Sequence, residues 1–473
     1  MFNLQDVISA LTGHQISPLD VRLSGAVIDS RNAVKGSLFI ALPGERVNGH
    51  DYVQSAFDNG ALAALVDQDM ARAFNTLDLR ENKFDPDSVT LSLPICLRVD
   101  DTLTALQTFA SDWREKHPVR TIGITGSVGK TSTKELTASL LSEKFNVLKN
   151  PGNRNNEIGL PLTLLELEPH HDVAVLEMGF YVPGEIRTLC EIARPQVGVV
   201  TNIGTVHAER AGTQETIARG KAELVESLPA APDGTAILNM DDPWVKKMSA
   251  KTRAKVFTYA ITEEADLTAS AIETQGLEGL SCTLTFKGQD YAIQSPLLGE
   301  FSVYTILRAA SVALVEGLDW ETIQAGLAVS QVDLRMHPIT LKNGAVILDD
   351  TYNASPASTI AALKLLKGLK GQRVAILGDM LELGAYEEMG HQSVGKYAAT
   401  AADVLILVGN RSKTTADAAL ENGFPEEDLQ WYPDSQQAAA PTAANIRNGD
   451  VVLIKGSNSM RMDKILAALE EKS

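Results

Sequence analysis

Cysteine is scarce in this 473-residue chain: Cys96, Cys190 and Cys282 stand far apart, with no C-x-x-C spacing. Neither a disulfide framework nor a zinc site is signalled, and the three read as core thiols. Positive charge is the minority sign, with 42 Lys and Arg against 60 Asp and Glu and a formal net charge of −18. That balance argues against nucleic acid or an anionic membrane as a general partner, while leaving room for a local basic pocket. No stretch approaches the roughly 18 apolar residues of a membrane span, and the start MFNLQDVISALTGHQ lacks the charged segment and apolar run of a secretory signal. A cytoplasmic chain is expected. Short-period repeats are missing as well. What remains is ordinary globular composition, 44% hydrophobic, in a chain long enough for two to four domains with a core each.

The most informative stretch is Arg120 to Thr133, RTIGITGSVGKTST. Thr121-Ile122-Gly123-Ile124-Thr125 has the apolar, β-branched content of a buried parallel strand, and from Thr131 onward Leu136, Leu140 and Leu141 fall at helical spacing. Strand, glycine loop and helix together make a phosphate cradle. Gly126 and Gly129 let the backbone N–H groups of Thr125 to Ser132, Ser127 among them, turn toward a polyphosphate. Lys130 adds a mobile positive charge, and Thr131 offers a hydroxyl to Mg²⁺. The longer G-x-x-x-x-G-K-[ST] pattern fails, because its first glycine falls on Ile124; the shorter T-G-S-x-G-K-T form stands.

Before this loop, Ala26-Val27-Ile28, Ser37 to Ala41 and Ala63 to Val66 read as strands of a small α/β domain. Its polar clusters Asp29-Ser30-Arg31 and Asn48-Gly49-His50-Asp51 are, alone, no better than surface loops. Asn75 to Ser92 reads as a long polar excursion, and a helix from Asp101 to Lys116 leads to a boundary at His117-Pro118. From Val119 to about Val332 strands and helices alternate, which predicts a parallel sheet. Asp172 to Glu177 and Gln196 to Asn202 are strands whose carboxyl ends belong on the ligand side, so Glu177 is expected beside the phosphate loop. His207 and Lys221 come next, each bland when taken singly. Residues 333–473 carry four more buried-type strands, Gly344–Asp349, Arg373–Gly378, Asp403–Val408 and Asp450–Lys455, as in a doubly wound domain.

These residues, in this order, resemble the Mur ligases of bacterial cell-wall synthesis along essentially the whole chain. Within that family they look most like the ligases that add D-alanyl-D-alanine. The likeness rests on Asp29-Ser30-Arg31, Gly49-His50-Asp51, TGSVGKTS, Gly152-Asn153-Arg154-Asn155-Asn156-Glu157-Ile158-Gly159 and Leu176-Glu177-Met178-Gly179. It continues through Gly220-Lys221-Ala222-Glu223, Asp349 to Pro356 (DDTYNASP), Gly378 to Gly384 (GDMLELG) and Lys455-Gly456-Ser457. The resemblance implies a three-domain α/β architecture: a UDP-sugar-binding domain over 1–117, a central P-loop domain over 118–332 and a Rossmann-like domain over 333–473. It also implies ATP-dependent amide formation through an acyl phosphate, with UDP-N-acetylmuramoyl-tripeptide and D-alanyl-D-alanine as substrates; a monomer is expected. Thr131 and Glu177 would hold one Mg²⁺, and Glu177, His207 and a carbamylated Lys221 a second. Arg335, Asp350 and Asn353 would reach the nucleotide; Ser30 and Arg31, with Gly49, His50, Asn155 and Asn156, would serve the nucleotide-sugar substrate.

One segment departs from the family pattern. G-x-H-N-V-x-N, whose asparagines lie near adenine, is replaced by Gly299-Glu300-Phe301-Ser302-Val303-Tyr304-Thr305. Weaker recognition of the base is expected, since an amide carries donor and acceptor together while a serine or threonine hydroxyl does not. The alternatives are a ligase adding the third amino acid, a folylpoly-γ-glutamate synthetase, or a nucleotide-regulated binding protein. DDTYNASP, with no Asn-Pro-Arg motif, speaks for the D-alanyl-D-alanine branch.

Overall fold

The computed structural model describes residues 1–17, 19–44, 47–81, 83–86, 91–329 and 336–472. The chain is an α/β protein that divides into two compact units, one of 1–123, 145–179 and 185–196, the other of 124–144, 180–184 and 197–473.

In the first unit a five-stranded sheet runs in the order Gly25–Val27, Ser37–Ile40, Ala63–Val66, Ile95–Arg98, Thr76–Asp78, with every pair parallel. The central strands are apolar on both faces and wholly buried, as parallel strands covered on two sides must be. Thr76–Asp78 lies inside the stretch read above as a polar excursion. It is three half-buried residues at a sheet edge, too short to show a period. Helix Thr102–Lys116 starts on the Asp101 side chain, which accepts from the Thr104 N–H at 2.6 Å. Near its end Arg114 is buried and donates to the carbonyls of His117, Val119 and Ala193. This unit also holds the parallel pair Val147–Lys149 and Val173–Glu177.

In the second unit the strands Val197–Val200, Thr235–Asn239 and Lys255–Ala260 pair in parallel, in register Val197↔Thr235 and Thr235↔Lys255. The purely parallel sheet expected here is not what forms: Leu267–Thr274, Leu280–Phe286 and Gln289–Ser295 add an antiparallel meander to the same sheet. Alternating buried and half-buried residues in Leu280–Phe286 fit a sheet with one covered face.

The C-terminal sheet runs His337–Thr340, Val346–Asp350, Asp450–Lys455, Gln372–Gly378, Val404–Val408, Leu429–Tyr432. Only the first pair is antiparallel. The first and last of these strands had no sequence signal strong enough to find them. Leu348, Leu377, Leu405 and Leu453 enter one core layer, while Ile347, Ile376, Ile406 and Ile454 enter another. Strict alternation of two apolar sets explains why these strands read as unbroken hydrophobic runs. The chain leaves Val346–Asp350 and returns at Gln372–Gly378 with Asp450–Lys455 lying between them, so their carboxyl ends frame a crevice of the kind that binds ligands.

Candidate active site

Strand Arg120–Thr125 ends in the phosphate loop, and helix Lys130–Ser142 begins immediately after it. Gly126 (φ +145°) has no room for a Cβ, which would collide with the Thr201 hydroxyl, and Gly129 (φ +86°) would meet Arg308 Nη1 at 2.6 Å. The loop is stitched to the next strand end by Asn202. Its carbonyl accepts from the Ser127 N–H (2.9 Å), its Oδ1 from the Val128 N–H (3.0 Å), and its Nδ2 donates to the Val128 carbonyl (3.0 Å). A loop held this way is a fixed frame rather than a flexible one.

Two lysines converge on one oxygen. Lys130 Nζ donates to the Gly126 carbonyl at 2.8 Å and to Ser127 O at 3.3 Å, and Lys221 Nζ donates to the same Gly126 carbonyl at 3.0 Å. Lys221 is fully buried, and its ammonium stands 4.6 Å from the centre of the Phe180 ring. His207 joins them. Burial pulls its pKa down first, its bond to Glu382 opposes that, and the positive charges of Lys130 and Lys221 lower it further. Its Nδ1 lies 2.5 Å from Glu382 Oε2.

A cavity of about 1110 Å³ is lined by Ser127, Gly129, Lys130, Thr131 and Ser132 of the loop region and by Asp350, Asn353 and Lys455 of the C-terminal sheet. The last three belong together. Asp350 and Lys455 are register partners on adjacent parallel strands, and the buried ammonium donates to Asp350 Oδ2 at 2.5 Å and to the Asn353 carbonyl at 2.8 Å. Phe301, Ser302 and Thr305 line the same cavity. The Ser302 hydroxyl is already committed to the Leu298 carbonyl at 2.6 Å.

Family comparison agrees with this geometry. The Mur ligase middle domain matches residues 124–313, the Mur ligase glutamate ligase domain 334–458, and the Mur ligase family catalytic domain 22–113. A UDP-N-acetylmuramoyl-tripeptide–D-alanyl-D-alanine ligase from Synechocystis is 36% identical over 458 residues, covering 95% of this chain and 92% of the relative. The chain belongs to the Mur ligase family. Among solved structures, a MurF from Acinetobacter baumannii superposes with a TM-score of 0.85 at 28% identity, covering 99% of both chains. A MurF ligase from Thermotoga maritima in complex with ADP gives 0.79 at 26% identity, covering 96% of this chain and 99% of that one.

The other residues expected of this Mur ligase are spread over both units. Thr125 is buried at the end of its strand. In the first unit Glu177 is buried and accepts from Asn155 Nδ2 at 2.8 Å, and Asn156 Oδ1 accepts from the Gly159 N–H at the start of a short helix. Arg31 is exposed and paired with Asp29, whereas Ser30 is buried. His50 is buried with both ring nitrogens engaged: Nδ1 meets Asn48 Oδ1 at 2.8 Å and Nε2 accepts from the Asp67 N–H at 3.1 Å. Those bonds order the loop around Gly49, whose missing side chain leaves space for Leu42 backbone atoms 2.7 Å from where a Cβ would stand. Arg335 lies outside the described residues. Glu382 and Lys455 were visible only as members of motifs with no role attached. Arg308 gave no signal, since an arginine on a helix reads as a solvated side chain.

Proposed function

We propose that this chain is an ATP-dependent amide ligase that joins D-alanyl-D-alanine to UDP-N-acetylmuramoyl-tripeptide, forming UDP-N-acetylmuramoyl-pentapeptide, ADP and phosphate. The observation that carries the reading is the cavity that sets the phosphate loop against Asp350, Asn353 and Lys455, in a chain similar along its length to ligases of that name. The ADP complex of the Thermotoga relative supports ATP as the nucleotide.

A carboxylate oxygen of the tripeptide attacks the γ-phosphorus, the bond to the bridging oxygen breaks, and ADP departs. The dipeptide amine then attacks the acyl carbon, loses a proton, and phosphate leaves with the C–O electron pair. Two anions must meet in the first step, so positive charge at the loop is the main requirement. Lys130 supplies it. Thr131, His207 and a carbamylated Lys221 are the residues that would hold the Mg²⁺ ions. When bound, the ions neutralise charge on the transferring phosphoryl group. The donor set fits: with Nδ1 of His207 turned to Glu382, Nε2 is the nitrogen available to a metal, the arrangement typical of ligating histidines. Carbamylation would convert the buried Lys221 ammonium into an oxygen ligand of opposite sign.

In this reading Ser127 to Ser132, Asp350 and Asn353 serve the nucleotide, and Ser30, Arg31, Asn155 and Asn156 the sugar-peptide. The working domains are 1–117, 118–332 and 333–473, and the cytoplasm is the compartment that supplies ATP and the UDP-activated substrate. The test is ADP release with each substrate omitted in turn. Release that requires tripeptide and dipeptide together supports the ligase; equal release without the dipeptide rejects it.

A further inference from the structure

Arg308 is only 4% exposed and lines the cavity that holds the phosphate loop. It sits on helix Ser302–Val315 and donates from Nε to the Tyr304 carbonyl (2.7 Å) and from Nη1 to Thr133 Oγ1 (2.8 Å) and the Gly129 carbonyl (3.4 Å). All three acceptors are uncharged. Among the described residues no carboxylate pairs with it, and whereas buried Arg114 places Nε, Nη1 and Nη2 all on protein acceptors, Arg308 so engages only Nε and Nη1, which leaves the charge and the Nη2 donors of a costly buried guanidinium for an anion in the cavity.

We infer that the phosphate chain of the nucleotide is that partner, and that Arg308 is a nucleotide-binding residue additional to the loop lysine. The inference rests on the reading of this cavity as an ATP site. Position favours phosphate over base. The guanidinium is anchored to Gly129 and Thr133, the hinge of the loop and the first turn of its helix, where N–H groups already favour an anion. The same cavity is also lined by Leu277, Leu298, Phe301 and Met336, with the Ser302 hydroxyl committed to the backbone. Ring face and aliphatic contact suit any purine and read no edge. Affinity is thereby moved from base recognition to phosphate, and the site discriminates poorly between ATP and GTP.

The experiment uses full-length wild-type protein, Arg308→Met and Arg308→Lys. Affinities for ATP, GTP and inorganic tripolyphosphate are measured by titration calorimetry with Mg²⁺, and thermal midpoints without ligand. Wild type is expected to bind ATP and GTP within about tenfold of each other. Arg308→Met should lose about tenfold to a hundredfold for all three ligands in parallel, the range of one charge-assisted hydrogen bond, and Arg308→Lys should lose less. A loss for ATP with tripolyphosphate unaffected would assign Arg308 to the base and overturn the inference. So would unchanged affinities with a lowered midpoint, which mark a purely structural cation. If Arg308→Met does not fold, the lysine variant decides: unaltered tripolyphosphate binding overturns the proposal. Wild type that binds no ATP would instead remove the nucleotide reading on which it rests.

Discussion

His207 and Glu382 meet through their side chains, Nδ1 to Oε2 at 2.5 Å, and both hold their backbones in the left-handed region, at φ +67° and +63°. Such conformations are uncommon for side-chain-bearing residues and persist only where the surroundings enforce them. Here the Glu209 N–H donates to the Glu382 carbonyl at 3.2 Å, and the Tyr181 ring stands edge-on to His207 at 4.8 Å. The contact therefore ties the loop after strand Val197–Val200 to the GDMLELG segment of the C-terminal sheet.

Glu382→Gln keeps the shape of that contact and removes its charge. Apparent Mn²⁺ affinity, read by electron paramagnetic resonance, should fall by about tenfold to a hundredfold, the loss typical of a carboxylate behind a ligating histidine, the role proposed for His207. The Mg²⁺ concentration for half-maximal ADP release should rise in parallel, with KM for ATP at saturating Mg²⁺ little changed. An unmoved Mn²⁺ affinity would leave Glu382 a structural tie only.

Lys221 offers a direct spectroscopic check. Protein equilibrated with ¹³C-bicarbonate should show one slowly exchanging carbamate carbon that disappears in Lys221→Ala. Activity of that variant should drop by about a hundredfold or more, with partial recovery at high Mg²⁺, since an oxygen ligand rather than the fold has been removed. A wild-type spectrum without the carbamate signal would exclude the modification.

Lys455→Met removes the ammonium that donates to the buried Asp350 carboxylate. Removing one partner of a buried pair typically costs about 3–5 kcal/mol, so the urea midpoint should fall sharply. Asp350→Asn in the Lys455→Met background should recover part of the loss by removing the buried negative charge. Equal midpoints for wild type and Lys455→Met would show that Asp350 finds another partner.

For His50, burial outweighs the pull of Asp67 and Asp51 and holds the imidazole below its ordinary value of 6.5. The unfolded chain then binds the proton more readily than the folded one between that lowered value and 6.5. Its contribution to stability is complete above about 6.5 and declines as pH falls through the window. Thermal midpoints of wild type should therefore drop between pH 7.5 and 5.5 by more than those of His50→Gln. Parallel declines would assign the acid sensitivity to other groups.

Local chemistry made much of this protein legible in its sequence. The strand, glycine loop and helix from Arg120 to Ser142 announce themselves through side-chain period and glycine placement, and the four main C-terminal strands through continuous apolar runs. These are properties of neighbours along the chain. Thr76–Asp78, Leu429–Tyr432 and the meander from Leu267 to Ser295 escaped because edge and antiparallel strands draw their hydrogen bonds from partners that no local period identifies. The site divides the same way. Lys130 and Thr131 follow from the loop motif, but the bond between His207 and Glu382 spans 175 positions and that between Asp350 and Lys455 spans 105. Arg308 becomes distinctive only when helix Ser302–Val315 packs on helix Lys130–Ser142 and removes its guanidinium from water. Burial and long-range proximity are tertiary properties, and they turn two ordinary lysines, a histidine and an arginine into one charged site.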